Sequence, residues 1–87
     1  MDIQRAIISK TIKERCLSKL VETGIKETFF PTVDHATAYR WMVDYFKDYG
    51  ESPGPAAFKQ NFPTYKLLLV EEPVDYLVDE LRTQRKL

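Results

Sequence analysis

Residues 34–50 read DHATAYRWMVDYFKDYG, and the spacing within this stretch decides the fold class. Ala38, Tyr39, Met42, Phe46 and Tyr49 recur every three or four residues, which lines one face of an α-helix, with Val43 beside them. Trp41 and Tyr45 are four apart and so neighbour each other on an adjoining face. Asp34 is placed to cap the helix start, and Gly50 to end it in a left-handed conformation. A helix apolar on more than one face is expected to be central, with its Trp41 side against a second layer or a partner.

Helical patterning continues in both directions from here. Upstream, Asp2 is a candidate N-cap for a helix running to about Ile12, with Ile3, Ala6, Ile7 and Ile8 as its apolar positions. Cys16, Leu17, Leu20 and Val21 continue the pattern up to Gly24. The two runs read either as one helix with a break near Thr11–Lys13 or as a helical hairpin. Phe29 and Phe30 are adjacent in a short connector closed by Pro31. Their side chains point in different directions, so at least one plugs the core.

Downstream, ESPGP (residues 51–55) is a turn, and Pro55 suits the first position of a short helix carrying Phe58 and Phe62 up to Pro63. Leu67–Val70 is expected to be a buried linker, because no second strand pattern exists to pair with it. Pro73 then opens an amphipathic helix with Val74, Leu77, Val78 and Leu81 on one stripe and Tyr76 alongside. Its acidic start (Glu71, Glu72, Asp75) and basic end (Arg82, Arg85, Lys86) both match the helix macrodipole. The expectation is a single all-α domain over residues 1–87, a bundle of about five helices. Residues 1–70 form its globular part, and 71–87 its terminal helix.

Composition narrows the function. The 87 residues include five Phe, five Tyr and one Trp, enough large rings to give so short a chain a real core. Thirteen basic and thirteen acidic residues cancel, which argues against nucleic acid as the main partner, since phosphate binders carry a basic excess. Any DNA binding is expected to be weak or indirect. Cys16 is the single cysteine, so an internal disulfide is excluded and a reducing cytoplasm fits best. The longest apolar run, Leu67–Val70, is far short of the roughly 18 residues that span a membrane. No targeting segment is recognised at the N-terminus.

Catalytic patterns do not emerge. Gly24, Gly50 and Gly54 are scattered and form no phosphate-cradling loop, so nucleotide hydrolysis within this chain is not expected. His35 is the one histidine, read as a cap-region side chain hydrogen-bonded nearby rather than as a base. One His and one Cys cannot assemble a tetrahedral metal site, and no cofactor is implied. Asp44 and Asp48 read as a solvated helix face. Trp41, Tyr45 and Tyr49 have the shape to stack bases, but no Lys or Arg interleaves them, so core or protein contact is the better reading. The stripe of Val74, Leu77, Val78 and Leu81 needs a cover. It packs back on the central helix, or it pairs outside the chain as a contact surface for weak self-association. Should the stripe prove internal, the Trp41–Tyr45 face becomes the candidate surface.

The order of these elements resembles a known family. An apolar helix pair (RAIISKTI, RCLSKLVETG) leads through the aromatic connector FFPTVDH to ATAYRWMVDYFKDYG, then to ESPGPAAFKQNF. This is similar to the N-terminal domain of replicative DnaB-type helicases, especially divergent phage forms. There an Asp-His pair opens the long helix, here Asp34-His35. EEPVDYLVDELRTQR resembles the start of that family's helical hairpin. The resemblance implies a non-catalytic domain that mediates collar oligomerisation and docks primase or helicase loaders, in a bacterial host cytoplasm if phage-encoded. The ATPase motor would lie in a separate domain. Only the first hairpin helix has a counterpart here, which sets collar-type pairing apart from the rest of the pattern. Readings from other classes are a small helix-turn-helix regulator, disfavoured by Asp44 and Asp48 beside Arg40 and Lys47, and a phage inhibitor mimicking a helicase domain.

Overall fold

The Asp2 carboxylate accepts a hydrogen bond from the Arg5 backbone N–H at 3.1 Å, and this cap starts the first helix, α1 (Ile3–Glu14). The computed structural model describes residues 2–85. After α1 come α2 (Leu17–Glu22), a 3-10 turn (Glu27–Phe29), α3 (Val33–Tyr49), α4 (Pro55–Asn61) and α5 (Val74–Arg85). No strand occurs among the described residues, and the protein is all-α. No described helix is long and apolar enough to cross a membrane.

The central helix is α1, not α3 as its aromatic content led one to expect. Ile3, Ala6, Ile7, Ile8, Ser9, Thr11 and Ile12 are all buried, and at 100° per residue these positions surround the helix axis. α5, α3, α2 and α4 each pack against it. Small and aliphatic side chains make this possible, since Ala6 and Ser9 let neighbouring backbones approach where a ring would hold them off. In α3, burial is confined to His35, Ala38, Tyr39 and Met42. Phe46 is only half-buried and Tyr49 is 68% exposed, so the second half of that helix leaves the core. α3 also begins earlier than expected, with Thr32 at the cap position. Asp34 lies in the first turn, where its charge opposes the positive end of the helix dipole.

The α1–α2 boundary falls at Arg15, which takes the left-handed conformation (φ 53°) usually left to glycine. Its guanidinium donates to the Ser52 carbonyl at 3.2 and 3.3 Å, which holds the corner in place. The Ser52 hydroxyl in turn accepts from the Leu17 N–H at 3.3 Å, capping α2 from the α3–α4 turn. Gly50 closes α3 at φ 71°, its N–H on the Phe46 carbonyl at 2.8 Å. In the connector Phe30 is the ring that enters the core, 5.0 Å from Tyr39 between centroids. The Tyr39 hydroxyl donates to the Ile25 carbonyl at 2.7 Å.

The linker before α5 has no strand partner because α1 side chains satisfy its backbone. Arg5 donates to the Lys66 carbonyl at 2.9 Å and Lys10 to the Val70 carbonyl at 3.1 Å. The buried Ser9 hydroxyl accepts from the Leu68 N–H at 2.8 Å. The linker is only half-buried, and Leu69 is 85% exposed, contrary to the expectation of a buried run.

This stapling lays α5 along α1, and it corrects two sequence expectations. Val74, Leu77, Val78 and Leu81 are 5%, 0%, 2% and 1% exposed, so the stripe is core and no contact surface. Its main cover is α1, with the connector beside it, rather than α3. α5 is the terminal helix, and its stripe completes the same core as the helices before it. Of the basic end, the Arg82 guanidinium donates to the Thr23 carbonyl, while Lys86 lies outside the described residues. Asp75 at the acidic start pairs with Lys19 at 3.5 Å.

Leu77→Ala is therefore expected to lower stability by about 2–5 kcal/mol, as for other fully buried leucines. Denaturant titration reads this directly. An unchanged midpoint would return the stripe to the surface.

Candidate functional site

Three rings follow one another along the exposed half of α3. Trp41 and Tyr45 are 5.5 Å apart between centroids, and Tyr45 and Tyr49 are 4.6 Å apart. The i, i+4, i+8 spacing produces this ladder, since residues four apart lie one above the other on a helix. Its base is anchored, with Trp41 edge-on to Phe58 at 5.9 Å and to Phe62 at 5.7 Å on the α4 side. Pro55 opens α4 at its first position and brings those two rings up to α3. Exposure rises along the ladder, from half-buried Trp41 and Tyr45 to Tyr49 in solvent.

Between α3 and α4 the rings line a groove of about 330 Å³. Asp44 and Asp48 form its other α3 wall, and Ala57 and Asn61 of α4 face them. Among the described residues no cationic side chain lines it. Neither carboxylate is in an ion pair among the described residues. The groove thus combines flat apolar surface with negative charge, which repels phosphate and suits a protein surface.

Of the seven sequence-level candidates, the structure brings together only Trp41 and Tyr45. Val74, Leu77, Val78 and Leu81 lie beneath α1, and Tyr76, 47% exposed, stands on the outer side of α5. Asp44 and Asp48, read from sequence as a bland solvated face, turn out to be groove walls. Their place on the same turns as the three rings was the available signal. The approach of α4 carried none.

A second polar cluster centres on His35, which is 3% exposed. Its Nδ1 lies 2.7 Å from the Tyr65 hydroxyl and its Nε2 3.2 Å from Asp2 Oδ2. A carboxylate only accepts, so Nε2 carries the hydrogen, and in the neutral ring Nδ1 accepts from Tyr65. The partners are 33 and 30 residues away, so this is no local cap-region bond. Arg5 adds a contact to Asp2 at 3.7 Å and lies over the Tyr65 ring at 4.6 Å.

The hydroxyl–imidazole–carboxylate order invites comparison with a nucleophilic triad. Burial, however, pushes the Tyr65 hydroxyl far above its usual value, outweighing the nearby Arg5 charge, so the nucleophilic phenolate is disfavoured. Burial first, and then Glu14, raise the Cys16 thiol as well, which also opposes activation. The His35 cluster instead clasps three segments, tying the starts of α1 and α3 to the linker at Tyr65. Among the described residues no group of three or more His, Cys, Asp or Glu is placed to hold a metal ion.

A further cleft of about 350 Å³ lies between α3 and the connector. Its rim mixes Lys26, Arg40 and Lys47 with Glu27 and Asp44, and its Tyr39 hydroxyl already serves the Ile25 carbonyl. Burial pushes that hydroxyl up to about 12. With mixed charge and its phenol committed, this cleft selects for less than the aromatic groove does. No known protein family, curated protein or solved structure matches this chain, so its site is judged on geometry.

Tyr65→Phe leaves the buried Nδ1 of His35 without its donor. The expected cost is about 1–3 kcal/mol, the range for stranding a buried polar group. Thermal unfolding of the variant measures it, and a parent-like midpoint would mean that the clasp does not bear on stability.

Proposed function

We propose that this chain is a non-catalytic docking domain, and that it serves a DNA-replication assembly as the N-terminal domain of a DnaB-type helicase. The observation that carries the docking reading is the Trp41–Tyr45–Tyr49 ladder. Three large rings remain partly in solvent beside two carboxylates with no ion-pair partner among the described residues, while the α5 stripe lies in the core. Aromatic side chains dominate binding hot spots because each buries much area at little entropic cost. For the replication reading, the support is the order of elements: a Phe-rich connector, Asp34-His35 at the opening of the long helix, and a short helix after a glycine turn. Primase and helicase-loader proteins are the partners this reading names. A bacterial host cytoplasm is the compartment it implies.

Collar pairing through the stripe of Val74, Leu77, Val78 and Leu81 is not part of the proposal, since exposing it would dismantle the core. Within an assembly the groove has a different task. It recruits a second protein to the motor and leaves nucleotide chemistry to another domain.

Tyr49→Ala tests the docking reading, because a residue so exposed contributes little to folding, within about 0.5 kcal/mol. Titrated against purified primase and loader, the parent is expected to bind at least one of them. The variant should weaken that binding by about tenfold, the size of a modest hot spot. Binding of neither protein, or equal binding by parent and variant, contradicts the proposal. So does submicromolar affinity for duplex DNA at physiological salt.

A further inference from the structure

We infer that the aromatic groove takes a cationic partner segment, one that seats an arginine or lysine against the Tyr45 and Tyr49 rings and between the Asp44 and Asp48 carboxylates. This rests on the docking reading above and specifies its chemistry. Three features of the site support it. The first is charge complementarity, with two carboxylates and no cation along the groove, so a basic segment is attracted and an acidic one repelled. The second is the ring ladder, whose partly exposed faces suit a guanidinium, an ion that stacks on aromatic rings while donating to carboxylates.

The third feature is a conflict within α3 itself. Asp44 and Asp48 are one turn apart, a like-charge pair that weakens an isolated helix. Asp48 also lies two residues before the Gly50 cap, at the negative end of the dipole, where a cation is favoured. Folding thus disfavours Asp48 twice. Sites where local preference is overridden tend to be functional, and a partner's cation relieves both penalties. A nucleic acid would aggravate them.

Asp44 and Asp48, like most carboxylates among the described residues, have no ion-pair partner and are free to take one. The occupant therefore supplies the cation on the ring side of these carboxylates, where Arg40 and Lys47, on the opposite cleft, do not line the groove. A segment bearing an arginine on successive turns, helical or extended, fits the one-turn separation of the carboxylates.

The test uses an amphipathic Ala/Leu/Arg peptide of roughly sixteen residues, long enough to form a helix, with Gln and Glu twins at the Arg positions. Each is titrated into the labelled protein and followed by two-dimensional NMR. The Arg peptide is expected to move the Trp41 indole and the Tyr45, Tyr49 and Asn61 resonances. The Glu twin should not. Salt should weaken the effect. Asp48→Asn is the decisive variant, because it should weaken Arg-peptide binding by about threefold or more while raising the thermal midpoint. A residue with only a structural role would lower stability and binding together.

Equal binding of the Arg and Gln peptides overturns the cationic inference and leaves an apolar docking face. Absence of shifts at these residues with the Arg peptide overturns it too, while the docking reading is judged separately by Tyr49→Ala against primase and loader. Concentration-dependent shifts at the same residues without peptide would make a second copy the occupant, against the inference.

Discussion

A helix buried on every side forces the arrangement of everything around it. Between Ile3 and Ile12 only Gln4, Arg5 and Lys10 of α1 are even partly exposed, so α2, α3, α4 and α5 must all cover part of it. Its few polar side chains are put to use. Ser9, Arg5 and Lys10 take the backbone groups of the linker, which would otherwise need a strand partner or water. That linker then delivers α5 to the remaining open side. One exception stands out, since the Thr11 hydroxyl is buried with no hydrogen-bond partner among the described residues.

Covering α1 has a consequence at the far end of α3. Beyond Ala38, Tyr39 and Met42 the burial of that helix falls off, with Val43 and Phe46 only half-buried against the core and Trp41 turned toward the rings of α4. Trp41 reaches Phe58 and Phe62, but Tyr45 and Tyr49 run past them into solvent. The exposed aromatic surface is thus a by-product of unequal helix roles, one helix consumed by the interior and another left with rings in solvent. The His35 clasp supports this division. It ties the start of α3 to α1 and the linker, at the opposite end of the helix from Tyr49.

Periodic features were legible in the sequence and non-local ones were not. The Asp2 cap, the Gly24 and Gly50 terminators, Pro55 and the helices α3, α4 and α5 are written in spacings of three and four or in single residues with strong backbone preferences, whereas the α1–α2 break, expected if anywhere near Thr11–Lys13, falls at Arg15. Aromatic count points to α3 as the hub, whereas the burial of α1 depends on how many neighbours reach it. A stripe such as Val74, Leu77, Val78 and Leu81 looks the same whether its cover is internal or external, so sequence alone left that open. Long-range polar contacts, such as Ser52 on Leu17, Arg15 on Ser52 and His35 between Tyr65 and Asp2, join residues with no local pattern. For the site, the ladder was readable as i, i+4, i+8. Its meaning as a groove was not, since that depends on where α4 lies.

The central claim is that the last helix is interior and the Trp41–Tyr45–Tyr49 face is open. A soluble nitroxide that broadens NMR signals according to solvent exposure compares the two surfaces in one experiment. The account predicts strong broadening at Tyr49, intermediate broadening at Tyr45, and sharp methyl signals for Val74, Leu77, Val78 and Leu81. Methyl signals of α5 broadened as much as those of Tyr49 would contradict it.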